Sequence, residues 1–272
     1  MQKGASPPFT GKPRCDAELV AGECASVEKS RSPRDAESSA QNGEADAMQK
    51  WLSRMTGFVL ALSFAVLTLA LIINILGTTA PLMNALMERF APSGATGLPA
   101  EEYPAMAEMI TSYLAGKAET FQYTWTDAQG VTYLAFRDYE QQHMADCLGL
   151  FRLCRRVGLI SGLFFAACMG VSLMLRSRRH TAQGFLAGGA ATLTVLAALA
   201  VWGLADFDGL FVLFHQLSFD NGLWLLNPDT DLLIRLMPIE FFTTYAAVLA
   251  TGWLSVMLAA LLTARRLYRL HR

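Results

Sequence analysis

The chain has 272 residues, 53% hydrophobic and 17% charged, with a mean hydropathy of +0.32 and a formal net charge of −1. That is too apolar for an ordinary soluble domain and lacks the basic excess of nucleic-acid binders, so a membrane protein with no nucleic-acid partner is expected. Charge is uneven as well: residues 1–50 carry seven Lys/Arg and eight Asp/Glu, and the other 222 residues carry fifteen of each.

Residues 1–50 are rich in Ser, Pro, Gly, Glu and Ala, with few large apolar residues, and read as a disordered cytoplasmic tail. No apolar run precedes Cys24, so the tail is not read as a cleaved leader. Four uncharged apolar stretches follow, at 57–76, 157–175, 185–202 and 241–262. A stretch of about 20 residues at 1.5 Å rise covers the roughly 30 Å hydrocarbon layer, and a helix satisfies its own backbone groups there. The expected fold is an all-α membrane protein: a four-transmembrane-helix bundle over 51–264, with a small extracytoplasmic α/β cap between spans 1 and 2. Gly188, Gly189, Ala190 and Ala191 give the third span a small-residue face for close helix approach.

Lys50 and Arg54 precede the first span; Arg176, Arg178 and Arg179 separate the second and third; Arg265, Arg266, Arg269 and Arg272 follow the fourth. By the positive-inside rule both termini are cytoplasmic, with 265–272 a basic tail. All fifteen carboxylates after residue 50 fall in 79–156 and 204–240, which are therefore the extracytoplasmic insertions. Arg152, Arg155 and Arg156 run against the rule, and pairing with the acidic outer segments is favoured over contact with lipid phosphates.

In the first insertion, 101–118 has helical character, and 121–126 and 131–136 read as a hairpin with its turn around Gly130. A helix is expected over 139–156, running into the second span and placing His143 and Asp146 on one face. Five cysteines, Cys15, Cys24, Cys147, Cys154 and Cys168, show no CxxC and no metal-ligand spacing, so no metal site is indicated. Cys147 and Cys154 stand two helical turns apart, about 10 Å, too far for a disulfide, and read as free thiols.

Of four histidines, His180 and His271 sit among arginines, whereas His143 and His215 belong to different outer segments. Taken alone, each reads as an interfacial residue. The second insertion, 204–240, is dense in His, Asn, Asp and Trp, groups costly to hold at a lipid interface, which suggests a site. The simpler reading makes Asn227-Pro228-Asp229 an Asx turn and Trp224 an aromatic belt anchor.

The run Phe214-His215, Phe219, Asn221, Trp224, Pro228, Asp231, Leu233-Ile234, Pro238 and Phe241-Phe242, with the earlier Glu140-x-x-His143-Met144-x-Asp146, resembles the four-span bacterial lipoprotein intramolecular transacylases. The resemblance covers 136–242 and departs at Ile239, where the family pattern has an acidic residue, and at Cys147, where it usually has Val. It implies transfer of the sn-2 acyl chain of a diacylglyceryl-cysteine lipoprotein to its own α-amino group. Substrate would be diacylated lipoproteins amid membrane lipids, with no cofactor. His143 and His215 would be the catalytic pair, and Glu140, Asp146, Asn221, Trp224 and Asp231 supporting or substrate-positioning residues. Glu140 and Asp146 either orient His143 or pair with Arg137, Arg152 or Arg155. A haem carrier is disfavoured by spans without histidine, and a zinc hydrolase by the lack of HExxH. A non-catalytic four-span assembly or transport protein is the rival.

Overall fold

A computed structural model describes residues 33–127 and 129–270. The disorder expected of 1–32 lies outside the described residues, as do Cys15 and Cys24. The chain divides into two units, 1–49 and 50–272. In the first unit residues 33–49 are helical rather than irregular, in keeping with their Ala, Glu, Gln and Met content, and 37–49 are exposed.

Among the described residues, four helices are long and apolar enough to cross a membrane: α1 (Pro33–Gly77), α5 (Asp138–Leu175), α6 (Arg178–Ala205) and α9 (Ile239–Leu270). They coincide with the four apolar stretches, and the chain is a multi-pass membrane protein. Their apolar sides stay open, as at Leu163 (65% exposed) and Val201 (68% exposed), the pattern that lipid contact requires. Between the first two spans come α2 (Ala80–Phe90), α3 (Ser93–Thr96), a 3-10 turn at Ala100–Glu102 and α4 (Tyr103–Leu114). The antiparallel pair β1 (Thr124–Thr126) and β2 (Thr132–Leu134) follows. Asp127 closes that hairpin by accepting from the Gln129 and Val131 N–H groups at 2.9 and 2.8 Å, while Gly130 takes the positive φ of 81°. The second insertion forms α7 (Phe207–Ser218) and α8 (Leu232–Leu236).

The main core lies outside the bundle. Met83, Leu86 and Met87 of α2 and Tyr103, Met106 and Ile110 of α4 pack with Phe121, Phe136, Met144, Leu148, Leu232, Leu233, Leu236 and Phe241. Both insertions thus share one apolar interior, which joins the first turns of α5 to α8. At roughly 1.5 Å per residue α5 is about 57 Å long, nearly twice the hydrocarbon layer, so its part before Val157 stands clear of the apolar run and enters this core.

Within the bundle α6 lies against α1 and α9. A Cβ on Gly184 would sit 1.9 Å from the Arg54 carbonyl oxygen, and one on Gly57 2.0 Å from that of Thr181. Backbones this close tolerate only hydrogen at those positions. The expected small face holds too, with Gly188 against Phe58 and Ala61 and Gly189 against Leu261. Trp253 of α9 donates to the Ala65 carbonyl at 3.0 Å and to the Thr68 hydroxyl at 3.1 Å, fixing α9 on α1. We expect Gly184→Ala to lower the stability of the detergent-solubilised chain by about 2 kcal/mol or more. Gly170→Ala is the control, since a Cβ there meets nothing within 4 Å. Equal thermal midpoints for the two variants would contradict this packing.

Candidate functional site

α5 starts at a helix cap built from its own third residue. Glu140 Oε2 accepts the Arg137 N–H at 2.8 Å, satisfying one of the donors a helix start leaves open. The other oxygen, Oε1, accepts the Leu233 N–H at 2.9 Å, so the same carboxylate caps α8 from 93 residues away. Glu140 is 1% exposed, and burial raises its pKa while the two backbone donors oppose the rise. A second tie sits beside it. Asp231, also 1% exposed, accepts from the Tyr139 and Thr230 hydroxyls and from the Asn227 N–H, and pairs with Arg137 at 3.5 Å. Burial pushes its carboxyl up, but those hydrogen bonds overcome it and leave the group below the usual carboxylate range. On the exposed side Asn221 donates to Asp146 at 2.9 Å.

Four of the five expected supporting residues, Glu140, Asp146, Asn221 and Asp231, therefore fasten one insertion to the other. Glu140 bonds backbone N–H groups, and neither it nor Asp146 pairs with Arg137, Arg152 or Arg155 among the described residues. The pairing expected for the three outer arginines is also absent among those residues: Arg155 donates instead to Asn74 Oδ1 at 3.3 Å and to the Leu114 carbonyl at 3.1 Å, joining α1, α5 and α4. Asn227 makes the expected Asx turn, accepting from the Asp229 N–H at 2.9 Å. Cys147, Cys154 and Cys168 are free thiols.

The fastening brings His143 and His215 together. They are 7% and 8% exposed, with ring centroids 6.1 Å apart and planes inclined by 30°. α7 begins at Asp206, whose carboxylate accepts the Gly209 N–H at 2.8 Å, and carries His215 near its end. Aromatic rings enclose that imidazole: Phe211 at 4.2 Å, Trp224 at 5.1 Å, Phe214 at 5.3 Å and Phe219 at 5.6 Å. Phe219 also stands edge-on to His143 at 5.1 Å. Trp224 is thus a wall of the histidine pocket rather than only a belt anchor.

His215 Nδ1 lies 2.8 Å from the Phe211 carbonyl one turn back. A carbonyl only accepts, so Nδ1 carries the proton and Nε2 of the neutral ring keeps its lone pair. His143 differs: its Nε2 is 3.7 Å from Cys147 Sγ, and its buried Nδ1 has no hydrogen-bond partner among the described residues. Burial, and then the nearby His215, pull His143 down to about 4. Burial lowers His215 as well, against the opposing bond to Phe211. Burial thus disfavours the charged form of both rings, leaving one able to accept a proton and the other with an uncommitted nitrogen. Phe211, Tyr139 and Cys147 escaped the sequence reading as participants. Only the four-residue spacing, Phe211 before His215 and Cys147 after His143, hinted at two of them.

A family model described as "Lipoprotein intramolecular transacylase Lit" matches residues 57–242. In fold, the chain is similar to the in meso structure of the membrane integral lipoprotein intramolecular transacylase Lit from Bacillus cereus. That match has 20% identity and a TM-score of 0.66, and covers 81% of this chain and 97% of that one. Two mutant structures of the same Bacillus cereus protein also match. The form with a histidine-to-arginine mutation does so at 17% identity and TM-score 0.61, covering 86% and 98%; the histidine-to-alanine form at 17% and 0.57, covering 84% and 96%. No curated protein matches by sequence.

Proposed function

Because the chain belongs to the lipoprotein intramolecular transacylase family, we propose that it moves the sn-2 acyl chain of a diacylglyceryl-cysteine lipoprotein onto that cysteine's α-amino group, leaving a lyso-glyceryl product. The observation that carries this reading is the pair of buried imidazoles 6.1 Å apart, contributed by two separate outer segments.

The reaction asks little else of a protein. An amine attacking an ester needs a base for its proton, a donor for the oxyanion and an acid for the departing glycerol oxygen. His215 Nε2 and the two ring nitrogens of His143 are the groups available. Nucleophile and ester belong to one molecule, so holding them in register supplies a high effective concentration without a covalent enzyme intermediate. An amide replaces an ester, so no ATP is consumed and no cofactor is called for. Phe214, 53% exposed and 5.3 Å from the His215 ring, gives the site an apolar approach suited to acyl chains. In this reading both termini are cytoplasmic, the site faces the extracytoplasmic side, and Glu140, Asp146, Asn221 and Asp231 position the histidine-bearing segments.

Expression of the chain in cells whose lipoproteins are otherwise diacylated tests the proposal. Mass spectra of N-terminal lipopeptides should gain an N-acylated lyso form of unchanged total acyl content. Unaltered spectra, with the protein present in the membrane, contradict it.

A further inference from the structure

The transacylase reading leaves open how the two histidines divide their tasks. Cys147 stands one helical turn after His143 on α5, and the His143 ring nitrogen Nε2 is the hydrogen-bond partner of its sulfur at 3.7 Å. The thiol is only partly exposed, and burial pushes it up to about 12, so it holds its proton and is no nucleophile. An imidazole lone pair accepts better than a thiol sulfur, so the S–H group donates to Nε2 and the ring's own proton is driven to Nδ1. Nδ1 is the buried ring atom with no hydrogen-bond partner among the described residues. Across the pocket His215 has the complementary arrangement, its Nδ1 proton engaged by the Phe211 carbonyl and Nε2 bare.

Resting on the transacylase reading, we propose that Cys147 is a positioning residue whose thiol fixes His143 as the Nδ1–H tautomer, making His143 the oxyanion donor and His215 the proton carrier. The proton balance follows. As the amine nitrogen bonds to the ester carbonyl carbon, its proton passes to His215 Nε2, and the carbonyl oxygen takes a hydrogen bond from His143 Nδ1–H. When the carbon–oxygen bond to glycerol breaks, His215 Nε2 returns the proton to the glycerol oxygen. His143 keeps its proton throughout, and both rings end neutral.

The test is nitrogen-15 NMR of the full chain, labelled at histidine and held in lipid nanodiscs, with His143 assigned by comparison with a His143→Gln sample. The expected spectrum shows His143 protonated at Nδ1 and bare at Nε2. Cys147→Val, which keeps the volume but removes the donor, should lose that preference. On a synthetic diacylglyceryl lipopeptide it should lower kcat about 3- to 10-fold at unchanged KM, the worth of one hydrogen bond. Cys147→Ser should retain the tautomer and most of kcat. A native spectrum with His143 protonated at Nε2, or a Cys147→Val chain matching the native one in both spectrum and kcat, overturns the proposal. If the native chain shows the expected tautomer yet forms no N-acylated product, the thiol's placement of the proton stands and the transacylase reading falls.

Discussion

His143→Ala and His215→Ala should each reduce formation of the N-acylated lyso product at least about a hundredfold, the range set by removing a positioned acid or base. The two losses should not multiply in the double variant, because each ring serves a single transition state and half of the pair has little to offer. Protein level and thermal midpoint should change little by comparison. Both rings are walled by aromatic side chains, and between them they make one backbone bond, His215 to Phe211. The readout is the initial rate on a synthetic lipopeptide, alongside the melting curve of each variant. A variant that folds and keeps native turnover removes its histidine from the chemistry.

The largest structural effect should follow from Glu140→Ala. That change strips the acceptor from two backbone N–H groups, those of Arg137 and Leu233, the second in a buried setting. Leaving such donors unmet costs about 1–3 kcal/mol each, so a loss near 3 kcal/mol is expected. The variant should also lose turnover, since Glu140 anchors α8 and the second insertion beside α5. Asp146→Ala, which breaks only the exposed bond to Asn221, should lose under about 1 kcal/mol. Thermal unfolding in the same detergent separates the two cases. Equal destabilisation would mean that the buried carboxylate is not what fastens the insertions together.

The legible parts of this chain were those set by local periodicity. Four apolar runs of membrane length fixed the spans, and Asp127 with Gly130 marked the hairpin. The Glu140-x-x-His143 spacing placed histidine and carboxylate near one helix start. What the pattern hid was long-range. Nothing near Glu140 in sequence announces Leu233 as its partner, and Tyr139 reaches Asp231 across 92 residues. A salt bridge was expected of Arg155 and was one of two readings open for Glu140, and both instead satisfy neutral groups, because a fixed neighbouring backbone or amide is the partner that tertiary packing supplied. The Gly57 and Gly184 contact was equally invisible, since two isolated glycines become a helix crossing only once the order of the spans is known. The meeting of His143 and His215 came from the resemblance and not from spacing, which alone left both as interfacial residues.

The central claim is that an acyl group leaves the sn-2 oxygen and arrives on the amine of the same molecule. Its most direct measurement uses the purified full chain in nanodiscs with two lipopeptides of different peptide mass, one bearing a deuterated sn-2 chain. The account predicts deuterium on the N-terminal amide of the originally labelled peptide alone. Label on the other peptide, or retention of every label in ester linkage, would contradict it.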